Sequence, residues 1–147
     1  MVTYTLKNID ILENVQRKFT KRLPGMFNLT YHQRLVALNL ESLELRRVRS
    51  DLILTYKIVF GLIGLNTDVF FSLNVSRNSM NLRGHDYQQL LTHSTSKKPI
   101  VRNMFAHRIV ATWNCLPNDL VKFSSLKAFR CSLTNDVLVP FCNVYFR

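Results

Sequence analysis

Acidic residues are scarce in this chain. Nine Asp and Glu stand against twenty Lys and Arg, and no two acidic side chains are adjacent. Chemistry that holds divalent metal around a triphosphate needs clustered carboxylates, which this scatter does not supply. Glu41 and Glu44 fall at a helix start, where complementing the helix dipole accounts for them. Cysteine is also sparse. Three residues, an odd number widely spaced, exclude a disulfide framework and point to buried thiols in a reducing compartment. Cys131 and Cys142 sit in apolar stretches and Cys115 just follows Trp113, so a burial-inactivated thiol is expected rather than a nucleophile. Candidate zinc ligands are His85, His93, His107, Cys115, Cys131 and Cys142. None forms the short-spaced pair that structural zinc requires. Only four glycines are present, with no Gly-x4-Gly-Lys loop to cradle a phosphate. The most apolar run, Leu52 to Leu65, is broken by Lys57 and is too short to span a bilayer. The start, Met1 to Lys7, has no signal-peptide layout. These absences lead us to expect a soluble intracellular protein of nucleus or cytoplasm, not secreted, with no membrane partner, metal or cofactor.

What is present suits one globular unit: 147 residues, 47% hydrophobic and 20% charged, with no repeat or low-complexity segment. The net charge of +11 is the outlying value. Self-repulsion opposes compaction, so such a charge points to a polyanionic partner, most simply nucleic acid. The competing account is a basic piece of a larger, more balanced protein.

Hydrophobic spacing predicts a mainly helical chain. Between Ile9 and Leu23, the residues Leu12, Val15, Phe19 and Leu23 form one stripe, with the basic residues on the other side; Leu23-Pro24-Gly25 ends that helix. Thr30 is placed to cap a short helix bearing Tyr31, Leu35 and Leu38, and Ser42 a longer one bearing Leu45, Val48, Leu52, Tyr56, Val59 and Ile63. Asn66-Thr67-Asp68 reads as a turn or cap before a short aromatic-anchored turn at Val69 to Phe71. Residues 74–99 turn polar, and a short β-hairpin is expected around residues 78–92, with its turn near Gly84 to Tyr87. Helix returns after Asn103 through Trp113, stopped by Pro117, and again after Ser124 or Ser125, with Leu126, Phe129 and Leu133 inward. Trp113 is expected in the core. Residues 137–147 form an apolar tail without helical period.

The basic residues cluster. Arg17, Lys18, Lys21 and Arg22 form one helical patch whose members at one-turn spacing can meet successive phosphates. A solvated face that is basic by chance is the bland account. Arg46, Arg47 and Arg49 open the long helix, where Arg46 and Arg49 could instead pair with Glu41, Glu44 or Asp51. Arg83 and His85 flank Gly84 in a loop, and Lys97, Lys98 and Arg102 form a third patch.

Five phrases stand in fixed order: Leu12 to Lys21, Tyr31-His32-Gln33-Arg34-Leu35, Arg46-Arg47 leading to Asp51-Leu52 and Tyr56-Lys57-Ile58, Leu82-Arg83-Gly84-His85, and Trp113-Asn114-Cys115-Leu116-Pro117. Together they resemble the C-terminal region of reverse transcriptases of non-LTR (LINE-type) retrotransposons, of the jockey-like and chicken-repeat-like groups, over about Leu12 to Leu133. The resemblance implies a post-thumb helical module over residues 1–136, holding template RNA, target DNA or their hybrid beside an upstream reverse-transcriptase domain. That family's aromatic-x-Asp-Asp motif is absent here, so polymerase activity is not expected of this chain. The Cys-Cys-His-Cys element of some relatives is also absent, and zinc is not carried over. The alternative is a structural helical module that packs on the thumb or palm with no nucleic-acid affinity of its own.

Overall fold

The computed structural model describes residues 6–73, 90–91, 105–117 and 120–142. Its elements are α1 (Leu6–Lys21), α2 (Tyr31–Ala37), α3 (Leu43–Val59), α4 (Thr67–Phe70), β1 (Ser72–Leu73), β2 (Leu90–Leu91), α5 (Phe105–Asn114), α6 (Leu126–Ser132), α7 (Asn135–Leu138) and a 3-10 turn (Val139–Phe141). The chain is mainly helical.

The helix ends follow from local chemistry. Thr30 caps α2 in a capping box with Gln33, Ser42 caps α3 through the Leu45 N–H, and Ser125 caps α6 through the Ala128 N–H. At the far end of α3 the Leu62 N–H reaches the Lys57 carbonyl (2.8 Å) and the Gly61 N–H reaches that of Ile58 (3.2 Å). This pairing requires a left-handed residue between them, and Gly61 supplies it at φ 64°. Asn39 does the same for α2 at φ 50°, with Leu40 and Asn39 returning to the Leu35 and Val36 carbonyls (2.8 and 3.1 Å).

Helix α3 is the hub. Its buried Leu45, Leu52, Tyr56 and Ile58 meet Phe71, Ile109, Trp113, Phe129, Leu133 and Leu138 in one cluster. Trp113 is fully buried, with ring centroids 5.5 Å from Phe123 and 5.7 Å from Phe129. Tyr56 stacks on Phe129 at 4.6 Å, and its hydroxyl donates to the Phe123 carbonyl (2.9 Å). Asp51 joins α3 to α5 by accepting from Arg108 Nε (3.0 Å) and Nη2 (2.6 Å).

The structure bears on three of the expectations. The expected hairpin around residues 78–92 lies outside the described residues except at Leu90 and Leu91, and these pair antiparallel with Leu73 and Ser72, upstream of the expected partners. Within residues 137–147, the apolar tail whose structure the sequence leaves open, residues 137–141 belong to the last turns of helix, and Val137, Leu138 and Cys142 are buried. Their apolar residues are too few to show a helical period, and Pro140 stands near the start of the 3-10 turn. Cys115 and Cys131, expected to be buried, are exposed; Cys142 alone among the cysteines is buried. Each exposed thiol stands two residues after an inward aromatic, Trp113 or Phe129, and two residues is about half a helical turn.

Candidate nucleic-acid interface

Helix α1 carries the densest basic patch, and its orientation is unusual. Among its described side chains the fully buried ones are Glu13 and Thr20, both polar. Its apolar stripe faces solvent: Ile11, Leu12, Val15 and Phe19 are 53%, 38%, 64% and 63% exposed. The helix docks through a polar latch. Glu13 accepts from the Tyr31 hydroxyl, from the Leu43 N–H (3.1 Å) and from the Glu44 N–H (3.3 Å). Its carboxylate therefore satisfies orphan donors at the positive end of α3. Gln16 Nε2 donates to the Glu41 carbonyl (2.9 Å). The buried Arg34 donates from Nε to Thr20 Oγ1 (3.2 Å), from Nη1 to the Leu29 carbonyl (2.5 Å) and from Nη2 to the Arg17 carbonyl (3.4 Å). Its guanidinium thus ties α1, α2 and their connection together. Within the Tyr31-to-Leu35 phrase, Arg34 is therefore structural, and His32 is exposed.

The latch fixes what α1 presents outward. Lys18, Lys21 and Arg22 are exposed at its C-terminal tip, and the Lys18 and Arg22 side chains meet no hydrogen-bond or ion-pair partner among the described residues. The Lys21 ammonium lies over the Phe27 ring, 5.0 Å from its centroid. Arg17 is half-buried, donating to Asn14 Oδ1 (3.4 Å) and stacking 5.1 Å from the Tyr31 ring. It sits at the edge of the patch rather than at its centre.

The basic opening of α3 divides differently. Arg49 is engaged in structure: it pairs with Glu41, donates from Nε to the Leu133 carbonyl (3.3 Å) and from Nη2 to Asn135 Oδ1 (2.7 Å). Arg47 is half-buried, and burial lowers its pKa, reinforced by the like charge of Arg108 and opposed by Asp51. Burial also raises the Asp51 carboxyl, against the pull of Arg108 and Arg47. These residues make an internal charge cluster between α3 and α5. Arg46 is exposed on the rim of an open groove of about 840 Å³, which Val36, Leu40, Glu41 and Asn135 also line. In that lining Glu41 is held by Arg49. Arg83, His85, Lys97, Lys98 and Arg102 lie outside the described residues.

Of the basic residues singled out by sequence, the fold therefore brings Lys18, Lys21 and Arg22 together on one outward surface. Arg17 lies beside them and Arg46 apart. Sequence spacing holds no sign of the exposed Phe27, 70% accessible beside Lys21, because its position depends on the turn after Pro24. Among the described residues no group of three His, Cys, Asp or Glu side chains could hold a metal. Nor is any described helix long and apolar enough to cross a membrane. Set against known protein families, curated proteins and solved structures, the chain matches none.

Proposed function

We propose that this chain is a non-catalytic C-terminal module of a LINE-type reverse transcriptase and contacts template RNA, target DNA or their hybrid through the basic tip of α1. The observation that carries the binding surface is the exposed trio Lys18, Lys21 and Arg22 on a chain of net charge +11. The trio meets no ion pair among the described residues, unlike Arg49 and Arg108. The family assignment rests on the five ordered phrases alone. With it come a short β-hairpin around residues 78–92, nucleic-acid contacts from Arg83 and His85 and, separately, from Lys97, Lys98 and Arg102, and action inside the cell, in nucleus or cytoplasm.

The test is binding of the purified chain to labelled nucleic acid across a salt series. Lys18→Gln, Lys21→Gln and Arg22→Gln together should weaken binding and flatten its salt dependence, by about 0.9 in log–log slope for each duplex phosphate no longer neutralised. An unchanged slope sinks the surface assignment.

A second reading is favoured by a different observation. The exposed row Ile11, Leu12, Val15 and Phe19 suits a surface that packs against another protein element. On this reading α1 docks on an upstream thumb or palm and the module binds no nucleic acid. It predicts self-association of the isolated chain, read by size exclusion at rising concentration.

A further inference from the structure

We infer that the tip of α1 is a single-strand site, binding unpaired RNA or DNA in preference to duplex, with bases stacked on Phe19 and Phe27 and phosphates on Lys18, Lys21 and Arg22. The inference rests on the nucleic-acid reading above and narrows it to one class of ligand.

The cations alone would not distinguish strands. Lys18 and Lys21 close the last turn of α1, where any cation complements the negative end of the helix dipole. The aromatics carry the distinction. Phe19 and Phe27 are 63% and 70% exposed, and no dipole or capping argument places a phenyl ring in water. They adjoin the cations. Around the helix from Lys21, the order is Lys18, then the direction of Arg22 just past the helix end, then Phe19. The Lys21 ammonium in turn lies 5.0 Å from the Phe27 centroid. Positive charge thus lies beside two exposed rings.

A duplex keeps its base faces stacked inside and offers phosphates and groove edges, so the rings gain little from it. A single strand offers base faces as well as phosphates. Base–aromatic stacking beside a cationic track is the usual arrangement of sequence-tolerant single-strand binders. Lys18 and Arg22 stand four residues apart, about 6 Å along a helical axis, close to the step between neighbouring phosphates of an extended strand.

The experiment compares fluorescein-labelled oligo-uridine and oligo-thymidine of about 12 nucleotides, a typical single-strand site size, with a duplex of equal length, by anisotropy over a salt series. The single strands should bind at least about tenfold more tightly than the duplex. Phe19→Ala with Phe27→Ala should cost single-strand affinity about tenfold or more while leaving the salt slope in place. Both rings are exposed, so the double variant keeps its fold, checked by circular dichroism. Equal or tighter duplex binding, or an unaffected double variant, overturns the single-strand inference. If the Lys18, Lys21 and Arg22 variants still weaken binding in that case, the broader nucleic-acid reading stands. No binding to any probe by folded wild-type protein overturns both, and concentration-dependent dimerisation abolished by Val15→Asn would then assign the face to protein contact.

Discussion

Around Trp113 the chain buries phenyl, indole and aliphatic side chains against one face of α3; around Glu13 it buries a carboxylate, a hydroxyl and a guanidinium against the other end of the same helix. In the first region burial of apolar surface is non-directional, and the helical spacing of hydrophobic residues states which face turns inward. In the second, docking is directional. It needs Glu13 beneath the Leu43 and Glu44 N–H groups and Arg34 between Thr20 and the Leu29 carbonyl. The difference explains why α1 holds its apolar row outward. Its inward face is already committed to hydrogen bonds that a Leu or Val could not make. The row is thereby left free for a ligand or partner, and the basic tip is carried outward with it.

The sharpest way to break the comparison is in the apolar region. Phe129→Ala removes a fully buried ring packed on Trp113, Tyr56 and Phe123. It should cost about 3–5 kcal/mol, read by denaturant titration, and the loss should extend over α3, α5 and α6. A change below about 1 kcal/mol would mean that this cluster is not the core.

Glu13→Ala comes next. It removes a buried acceptor from the Tyr31 hydroxyl and from two backbone N–H groups. A cost of about 2–3 kcal/mol is expected, in the range for hydrogen bonds to a charged group. The signature is regional: in hydrogen exchange, α1 and α2 should lose protection while α5 and α6 keep theirs. Uniform loss across all helices would show that the two regions fold as one unit and that the latch is not a separable device.

Val15→Asn should do least at neutral pH. Val15 is 64% exposed, and a surface change of this kind stays within about 0.5 kcal/mol. A Val15→Asn chain destabilised by more than about 1 kcal/mol would show that the outer row is covered in solution, and the contrast between the two regions would disappear.

Legibility in the sequence divides along the same line. Capping chemistry is local, so Thr30, Ser42 and Ser125 mark their helices directly. The apolar face of α3 and the burial of Trp113 follow from period alone. The latch is not local. Glu13 meets Leu43 across 30 residues and Arg49 meets Asn135 across 86, and no spacing rule announces either. A hydrophobic stripe says that α1 is amphipathic but not which side meets the protein. The sequence therefore shows the basic patch on α1 but not its aromatic flanks, and it shows Arg49 as a cation but not its engagement with Glu41.

Cys142 sharpens the comparison where the regions meet. Its thiol is buried and directed at the Leu138 carbonyl (3.6 Å). Burial first, and then the charges of Glu44 and Glu13, push its pKa up from 9.0 to about 12. The terminal turns thus feel the carboxylate that latches α1. In the folded state the neutral thiol is favoured, so the group adds no pH dependence below pH 9. Between about pH 9 and 12 the unfolded chain ionises while the folded chain resists. Over that window its contribution to stability falls as pH rises, and it is spent once pH passes the folded value. A Cys142→Ala chain should lack this share of the alkaline decline. In the wild-type chain at pH 8, a thiol reagent should modify the exposed Cys115 and Cys131 and spare Cys142 until unfolding. Glu13→Ala should speed modification of Cys142 by removing one of the charges that hold its thiol neutral. Rapid wild-type labelling of Cys142 would place the terminal turns away from α3 and dissolve the seam between the two regions.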